Sequence, residues 1–240
     1  MRNRLIILTI LLSAATASHR VQAQDLGIYA SIGVATMRMD DMKYLLESII
    51  ETYPVEARVI SSFPPYTASS FGFLKRLYPH LKLGAGYGFT TSGAKANYSD
   101  YSGSLTSEIT AVSHRVGGLV SYSPISGDKI EFSLLGRLDL NVSRIDISTL
   151  LIASGFSNGG ESTYTAFSPQ ASGYAEIMYN FGSFSFGLEG GYLLDLPGKL
   201  KESGGSYLSD PNDPRSDLTS DWTGWRAGIK GILWLKFKEN

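Results

Sequence analysis

Residues 130–143 read Ile-Glu-Phe-Ser-Leu-Leu-Gly-Arg-Leu-Asp-Leu-Asn-Val-Ser, and this stretch decides the fold. Its even positions, from Ile130 to Val142, are apolar or glycine, while its odd positions, from Glu131 to Ser143, are mostly polar or charged. Because successive side chains of a β-strand point to opposite faces, the pattern predicts a strand with one apolar and one polar face.

The same alternation recurs along the chain in eight segments. They are Leu26–Arg38, Tyr66–Leu77, Leu81–Ser92, Leu105–Tyr122, Lys129–Ile147, Thr163–Phe181, Phe184–Leu196 and Trp222–Phe237. The second, fourth and sixth connections are short, and the first, third, fifth and seventh are longer. Membrane barrels have short periplasmic turns and long extracellular loops, whereas a soluble barrel has no reason to sort its connections in this way. The order predicts an all-β, eight-stranded antiparallel up-and-down transmembrane β-barrel.

The first residues have the features of a secretory signal peptide. Two arginines precede the apolar run Leu5–Leu12, which is too short for a membrane helix, and small residues lead to a cleavage site after Ala23. We therefore expect residues 1–23 to be cleaved and residues 24–240 to form the barrel.

The composition excludes several classes of protein. With no Cys among 240 residues, the chain has no disulfide scaffold, thiolate zinc site, cysteine nucleophile or lipoprotein anchor. The signal peptide takes three of the 21 basic residues and none of the 22 acidic ones, which leaves a mature charge of −4. This charge argues against nucleic acid as a partner.

Together these features resemble the small eight-stranded outer-membrane β-barrel proteins of Gram-negative bacteria, the size class of the OmpA and OmpX barrels. The resemblance rests on the signal peptide ending in Val21-Gln22-Ala23, the eight segments, the loop order and the last strand, Trp225–Phe237. It implies a monomer in the cell outer membrane, surrounded by outer-membrane lipid and lipopolysaccharide and inserted by the outer-membrane assembly machinery. In that family the last strand ends on an aromatic residue, whereas here residues 238–240 follow Phe237.

Aromatic residues near the short turns agree with an interfacial girdle on the periplasmic side. These residues are Tyr78, Tyr122, Tyr179, Phe181, Phe184 and Phe237.

The first long connection carries a helical pattern instead of a strand pattern. Asp40 or Asp41 is the expected cap and Pro54 the stop. Apolar residues recur at helical spacing at Met42, Leu45, Leu46, Ile49, Ile50 and Tyr53. This amphipathic helix is expected in the first extracellular loop, as a lid over the barrel mouth, at the lipid headgroups or in contact with a partner.

Two other connections have informative compositions. The seventh, Gly198–Asp221, is rich in Gly, Ser, Asp and Pro and is expected to be a solvated loop; a Ca²⁺ site is the alternative, although no calcium-loop spacing is present. The third contains Tyr98–Gly103, whose tyrosines suit either a contact surface or plain solvent exposure.

The polar strand faces place charged side chains inside the barrel. An eight-stranded barrel is filled by side chains, so interior charges must pair or be hydrated. We expect a salt-bridged network that closes the lumen, with a narrow ion channel as the alternative. The network residues are Glu131, Arg137, Asp139, Glu176, Glu189, Arg226 and Lys230.

Enzymatic chemistry has little support in the sequence. Some outer-membrane barrel enzymes that act on lipids or proteins place a histidine near the outer rim, and the candidate here is His114 with Ser92 or Asp146, although no motif links them. We expect no catalytic, cofactor-binding or metal-binding residues, and a non-enzymatic protein that acts through its extracellular loops. The alternatives are a lipid-modifying enzyme, a narrow channel, and a soluble ligand-binding barrel such as a lipocalin with its apolar faces inward.

Overall fold

A computed structural model describes residues 26–53, 58–101, 103–153, 156–202, 204–211, 213 and 215–235, so the expected signal peptide, Pro54 and Phe237 lie outside the described residues. In chain order the elements are β1 (Leu26–Ala35), α1 (Asp40–Glu51), β2 (Arg58–Ser62), β3 (Tyr66–Tyr78), β4 (Leu81–Asp100), β5 (Gly103–Ser126), β6 (Ile130–Ala153), β7 (Phe156–Phe181), β8 (Phe184–Asp195), β9 (Gly198–Lys199), β10 (Lys201–Glu202), β11 (Thr219–Ser220) and β12 (Gly224–Leu235). Within this part of the chain no helix is long and apolar enough to cross a membrane.

Eight of these strands close into a ring. Its order is β1, β3, β4, β5, β6, β7, β8 and β12, and β12 pairs with β1 to complete it, with every neighbouring pair antiparallel. The predicted eight-stranded up-and-down barrel is confirmed. A path of paired residues that leaves β12 at Gly224 and crosses the other seven strands returns to β12 at Trp234, ten residues further along. Such a stagger tilts the strands by about 40° from the barrel axis.

The outer face of the ring carries the apolar side chains. Phe71, Leu138 and Leu188 are all more than half exposed to the surroundings of the barrel. The aromatic residues Tyr78, Tyr122, Tyr179, Phe181 and Phe184 lie exposed beside the short turns, where a girdle is expected. The lipocalin alternative is wrong, because it requires these apolar faces to point inward.

The ring is tall on one side and low on the other. The four adjacent strands β4 to β7 have 20 to 26 residues each, whereas β1, β3, β8 and β12 have 10 to 13. A bilayer needs only about 9–11 residues of a tilted strand. The third and fifth connections, predicted as long loops after Ser92 and after Ile147, are therefore mostly strand, and they continue as hairpins beyond the membrane.

The sense of the alternation reverses where these hairpins leave the membrane. On β6 the outer face changes from Val142 to Arg144, while the inner face changes from the buried Ser143 to the buried Ile145. Below this level the apolar face meets lipid and the interior is polar. Above it the interior is apolar and the outer face, which meets water, is mostly polar, with Leu150 and Ile152 as apolar exceptions on β6.

An apolar plug, the buried cluster around α1, fills the extracellular half of the barrel. Met42, Leu45 and Leu46 of α1 are buried and belong to one cluster with strand residues including Ile109 and Ile145. Trp222, which directly follows the seventh connection, is fully buried in the same cluster. The structure places the helix over the barrel mouth and not at the lipid headgroups, while a contact of its exposed face with a partner stays a prediction.

The start of α1 differs from the expectation. The cap position is Met39, in the left-handed region at φ 48°, and it makes no side-chain capping hydrogen bond. The carboxylate of Asp41 instead accepts hydrogen bonds from Thr219 N and Oγ1, at 2.9 and 2.7 Å. The predicted cap is wrong because this side chain ties the helix to the seventh connection.

Candidate functional site

The barrel interior near the periplasmic end holds a buried ion pair. Lys82 Nζ donates to Glu131 Oε1, and the hydroxyls of Ser123 and Ser133 donate to the same oxygen. A polar pocket of about 240 Å³ lies below, where the guanidinium of Arg76 stacks 4.6 Å from the ring centre of Trp234. Lys82, Glu131 and Arg76 therefore all interact with side chains of other barrel strands.

At the next level a lysine is held by two carboxylates. Lys230 Nζ lies 2.5 Å from Glu176 Oε1 and 3.6 Å from Glu189 Oε2, and 4.9 Å from the centre of the Tyr29 ring. Only 2% of Lys230 is exposed, so both attractions act in a medium of low dielectric constant. This cluster fills the centre of the barrel.

Three arginines line the inner face of β4 one above another. Arg137 Nη2 donates to Gly86 O at 3.1 Å, and its Nε reaches both oxygens of Asp139 at 2.7 Å. The guanidinium of Arg115 lies against Gly88, and Arg226 Nη1 donates to Thr90 Oγ1 at 3.1 Å. We call Arg137, Arg115 and Arg226 the arginine ladder.

Glycine on β4 makes room for this ladder. A Cβ on Gly88 would lie 2.7 Å from Arg115 Nη2, and one on Gly86 would lie 2.0 Å from Tyr29 Oη. The close approach of Arg115 and Tyr29 to β4 in a narrow barrel thus accounts for these glycines.

All seven residues predicted for the interior network have side chains inside the barrel. Six of them form ion pairs with an oppositely charged residue, and among the described ion pairs Arg226 has no such partner. Sequence reasoning missed Lys82 and Arg115. Lys82 lies two residues before Gly84 on β4, and Arg115 lies two residues after Ser113 on β5, so each shares the inward face of its strand. The alternation of each segment could therefore have predicted both residues inside the barrel.

A layer of neutral polar residues separates the charges from the apolar plug. Ser113 Oγ donates to Asn141 Oδ1 at 2.7 Å, and Asn141 Nδ2 donates to Ser168 Oγ at 3.1 Å. Above them Trp222 N donates to Asp195 Oδ2 at 3.0 Å, which anchors the plug to β8. From periplasm to exterior, the interior is therefore filled by ion pairs, hydroxyls and amides, and apolar side chains.

The candidate catalytic pairs are not formed. His114 points outward, where its Nδ1 lies 2.5 Å from Tyr87 Oη and its ring 5.3 Å from that of Phe89. Ser92 points inward and is buried. Asp146 lies four residues beyond the β6 partner of His114 and instead accepts from Arg144 and Thr163. His114 belongs to an aromatic group at the outer edge of the apolar band.

The extracellular surface is formed by the protruding sheet and by the seventh connection. The prediction of a solvated loop for this connection is wrong in part, because it forms β9, β10 and β11 and buries Leu200 and Leu218 in the plug. Tyr101 at the β4–β5 tip is fully exposed, which both alternatives for this connection require, and Leu150 and Ile152 are exposed on β6. In the seventh connection, the hydrogen bond from Lys199 Nζ to Asp217 Oδ2 (2.9 Å) and the charge of that carboxylate raise the pKa of Lys199. The residues that the structure describes contain no group of three side chains suited to a metal ion.

Comparison with solved structures finds outer-membrane proteins. The outer membrane protein OprG from Pseudomonas aeruginosa is 11% identical, with 90% of this chain and 98% of that chain covered and a TM-score of 0.45. Neisserial surface protein A is 11% identical over 90% and 98%, with a TM-score of 0.42. Ail, the attachment invasion locus protein of Yersinia pestis, is 11% identical over 88% and 96%, with a TM-score of 0.34.

No protein-family model and no curated protein sequence matches the chain. Because the identities and TM-scores are low, the assignment of the architecture rests on the closed ring, its outward apolar band and its polar interior. These features make the chain an eight-stranded β-barrel of the bacterial outer membrane.

Proposed function

We propose that the chain is a non-enzymatic cell-surface protein that uses its barrel as a membrane anchor and its protruding hairpins as a contact surface. The observation that carries the proposal is the continuation of β4 to β7 beyond the apolar band. On β6, Val142 is the last lipid-facing residue and Ser143 is its inward neighbour. Residues Arg144–Ala153 then continue the strand beyond the band. At about 2.5 Å of height per tilted residue, these hairpins rise about 25 Å above the band.

The chemistry of this surface suits a polypeptide partner. The β7 residues Phe156–Thr163 pair with β6 on one side, and among the described residues the pairing with β10 on the other side begins at Tyr164. An exposed strand edge offers free backbone N–H and C=O groups, to which an extended segment of another protein can add. Phe156 beside this edge is 60% exposed and supplies an apolar anchor.

The filled interior supports an anchor more than a channel. The ion pairs, the polar layer and the apolar plug follow one another along the barrel axis, and α1 lies over the mouth. In this proposal the barrel is a monomer that contacts outer-membrane lipid through its band and lipopolysaccharide at its outer rim. The outer-membrane assembly machinery inserts it.

Photo-crosslinking on intact cells tests the proposal. A photoreactive amino acid at the exposed edge residue Asn158 should give a covalent adduct with a second polypeptide. The same amino acid at Asp128, in a periplasmic turn, is the matched control and should not give that adduct. Identical adducts at both positions, or none at Asn158, would contradict the proposed contact surface.

Planar-bilayer recordings test the anchor role separately. The purified barrel should give a flat current trace, because the plug and the ion pairs fill the lumen. Discrete conductance steps that persist after repurification would favour the channel instead.

A further inference from the structure

Two buried arginines in the barrel centre have no acidic partner. Arg115 and Arg226 are 3% and 6% exposed. Among the described residues, the interior ion pairs use Lys82, Arg137 and Lys230, and neither of these two arginines takes part. Their guanidinium groups keep N–H donors without a hydrogen-bond acceptor: Nε and Nη1 of Arg115, and Nε and Nη2 of Arg226.

Both arginines line the same small cavity of about 40 Å³. One water needs about 10–15 Å³ measured in this way, so the space suits one small ion with one or two waters. The hydroxyls of Ser31 and Ser70, which hydrogen-bond to each other at 2.8 Å, and the phenol of Tyr174 lie on the same cavity wall.

The charge around this cavity is positive. Four cations line it, Arg115, Arg137, Arg226 and Lys230, against one carboxylate, Glu189. Two carboxylates outside the lining also count: Asp139 pairs with Arg137, and Glu176 pairs with Lys230. With them the net charge around the cavity is one positive charge. A guanidinium keeps its proton in proteins, so the excess cannot be removed by titration.

We propose that a small monovalent inorganic anion of the halide class binds between Arg115 and Arg226. Water could satisfy the free N–H groups but would leave the buried charge uncompensated, whereas an anion satisfies both. The glycine at position 88 and the hydroxyl of Thr90 hold the two guanidinium groups on the same stretch of β4. The anion completes the interior network and is independent of the proposed surface role.

Folding in different anions tests the site. The full mature chain is folded from urea into lipid vesicles in sodium gluconate. Sodium bromide then replaces gluconate in steps at constant ionic strength. At each step the melting temperature is measured as the temperature at which the band of the folded barrel disappears from a gel. The melting temperature of the wild type should rise with bromide and saturate as for one site. Non-specific action of bromide lowers protein stability, so the two effects have opposite signs.

Two variants and a crystal locate the effect. Arg115→Gln should lose the saturating rise, while Arg144→Gln, at an exposed arginine outside the barrel interior, should keep it. Crystals grown in bromide should show an anomalous peak beside the Arg115 and Arg226 guanidinium groups. A wild type that melts alike in bromide and gluconate, or an Arg115→Gln variant with the full rise, would overturn the site even if Arg226 variants fail to fold.

Discussion

Replacing Lys230 by methionine is expected to destabilise the barrel strongly. The lysine is 2% exposed and contacts Glu176 at 2.5 Å and Glu189 at 3.6 Å, so its loss leaves a buried and a partly buried carboxylate beside each other. Removing one partner of a buried pair costs about 3–5 kcal/mol. The lost contact with the Tyr29 ring, 4.9 Å from Nζ, adds about 1 kcal/mol.

Urea unfolding in lipid vesicles, followed by the shift of the folded band, measures this cost. The double variant Lys230→Met/Glu176→Gln removes one stranded carboxylate and should recover part of the stability. Lys95→Met is the matched control, because Lys95 and its partner Glu108 are both about half exposed and their pair is worth less than about 1 kcal/mol. A Lys230→Met barrel as stable as the Lys95→Met barrel would refute the reasoning.

Three further changes probe other levels of the molecule. Gly86→Ala, whose Cβ would lie 2.0 Å from the Tyr29 hydroxyl, should cost more than about 2 kcal/mol, whereas Gly173→Ala, with no atom within 4 Å, should stabilise the barrel by about 0.5 kcal/mol in the same assay. Leu46→Ala in the plug should cost about 2–5 kcal/mol and increase protease cleavage in the first loop, and unchanged cleavage would contradict the packing of α1. His114→Ala should leave the lipid composition of the outer membrane unchanged, as measured by mass spectrometry; an altered acyl pattern would revive the enzyme alternative.

The sequence predicted the barrel because lipid imposes a strict rule on the outer face. Every second residue of Ile130–Val142 had to be apolar or small, and this regularity determined both the strand and the direction of each side chain. The helical spacing from Met42 predicted α1 for the same reason, since its apolar stripe needed a place to be buried.

The height of the hairpins could not be read from the same rule. Between Val142 and Ile145 the apolar residues step by three positions instead of two, and this step marks the reversal of the faces. The predicted strand runs past this step only to Ile147, so the remaining strand residues up to Ala153 are predicted as a loop. The step itself is the signal that strand continues with an apolar interior.

The interior partners depended on geometry between strands. The alternation of each strand predicts that Glu176 and Lys230 point into the barrel. Their contact, however, depends on the stagger between strands, because the pairing of β8 with β7 and with β12 sets the relative heights of these two residues. The unpaired state of Arg115 and Arg226 likewise depends on which carboxylates this stagger brings close.

The unequal heights of the two halves give the molecule a front and a back. The tall wall of β4 to β7 screens α1 and the seventh connection from one side, while the low wall of β1, β3, β8 and β12 leaves them open on the other. An antibody, a phage or a protease therefore meets a tall wall on one side of the lid and a low wall on the other. On a crowded cell surface, access to the lid then depends on which side of the barrel faces an adjacent membrane protein. Rotation of the barrel about its own axis changes that side.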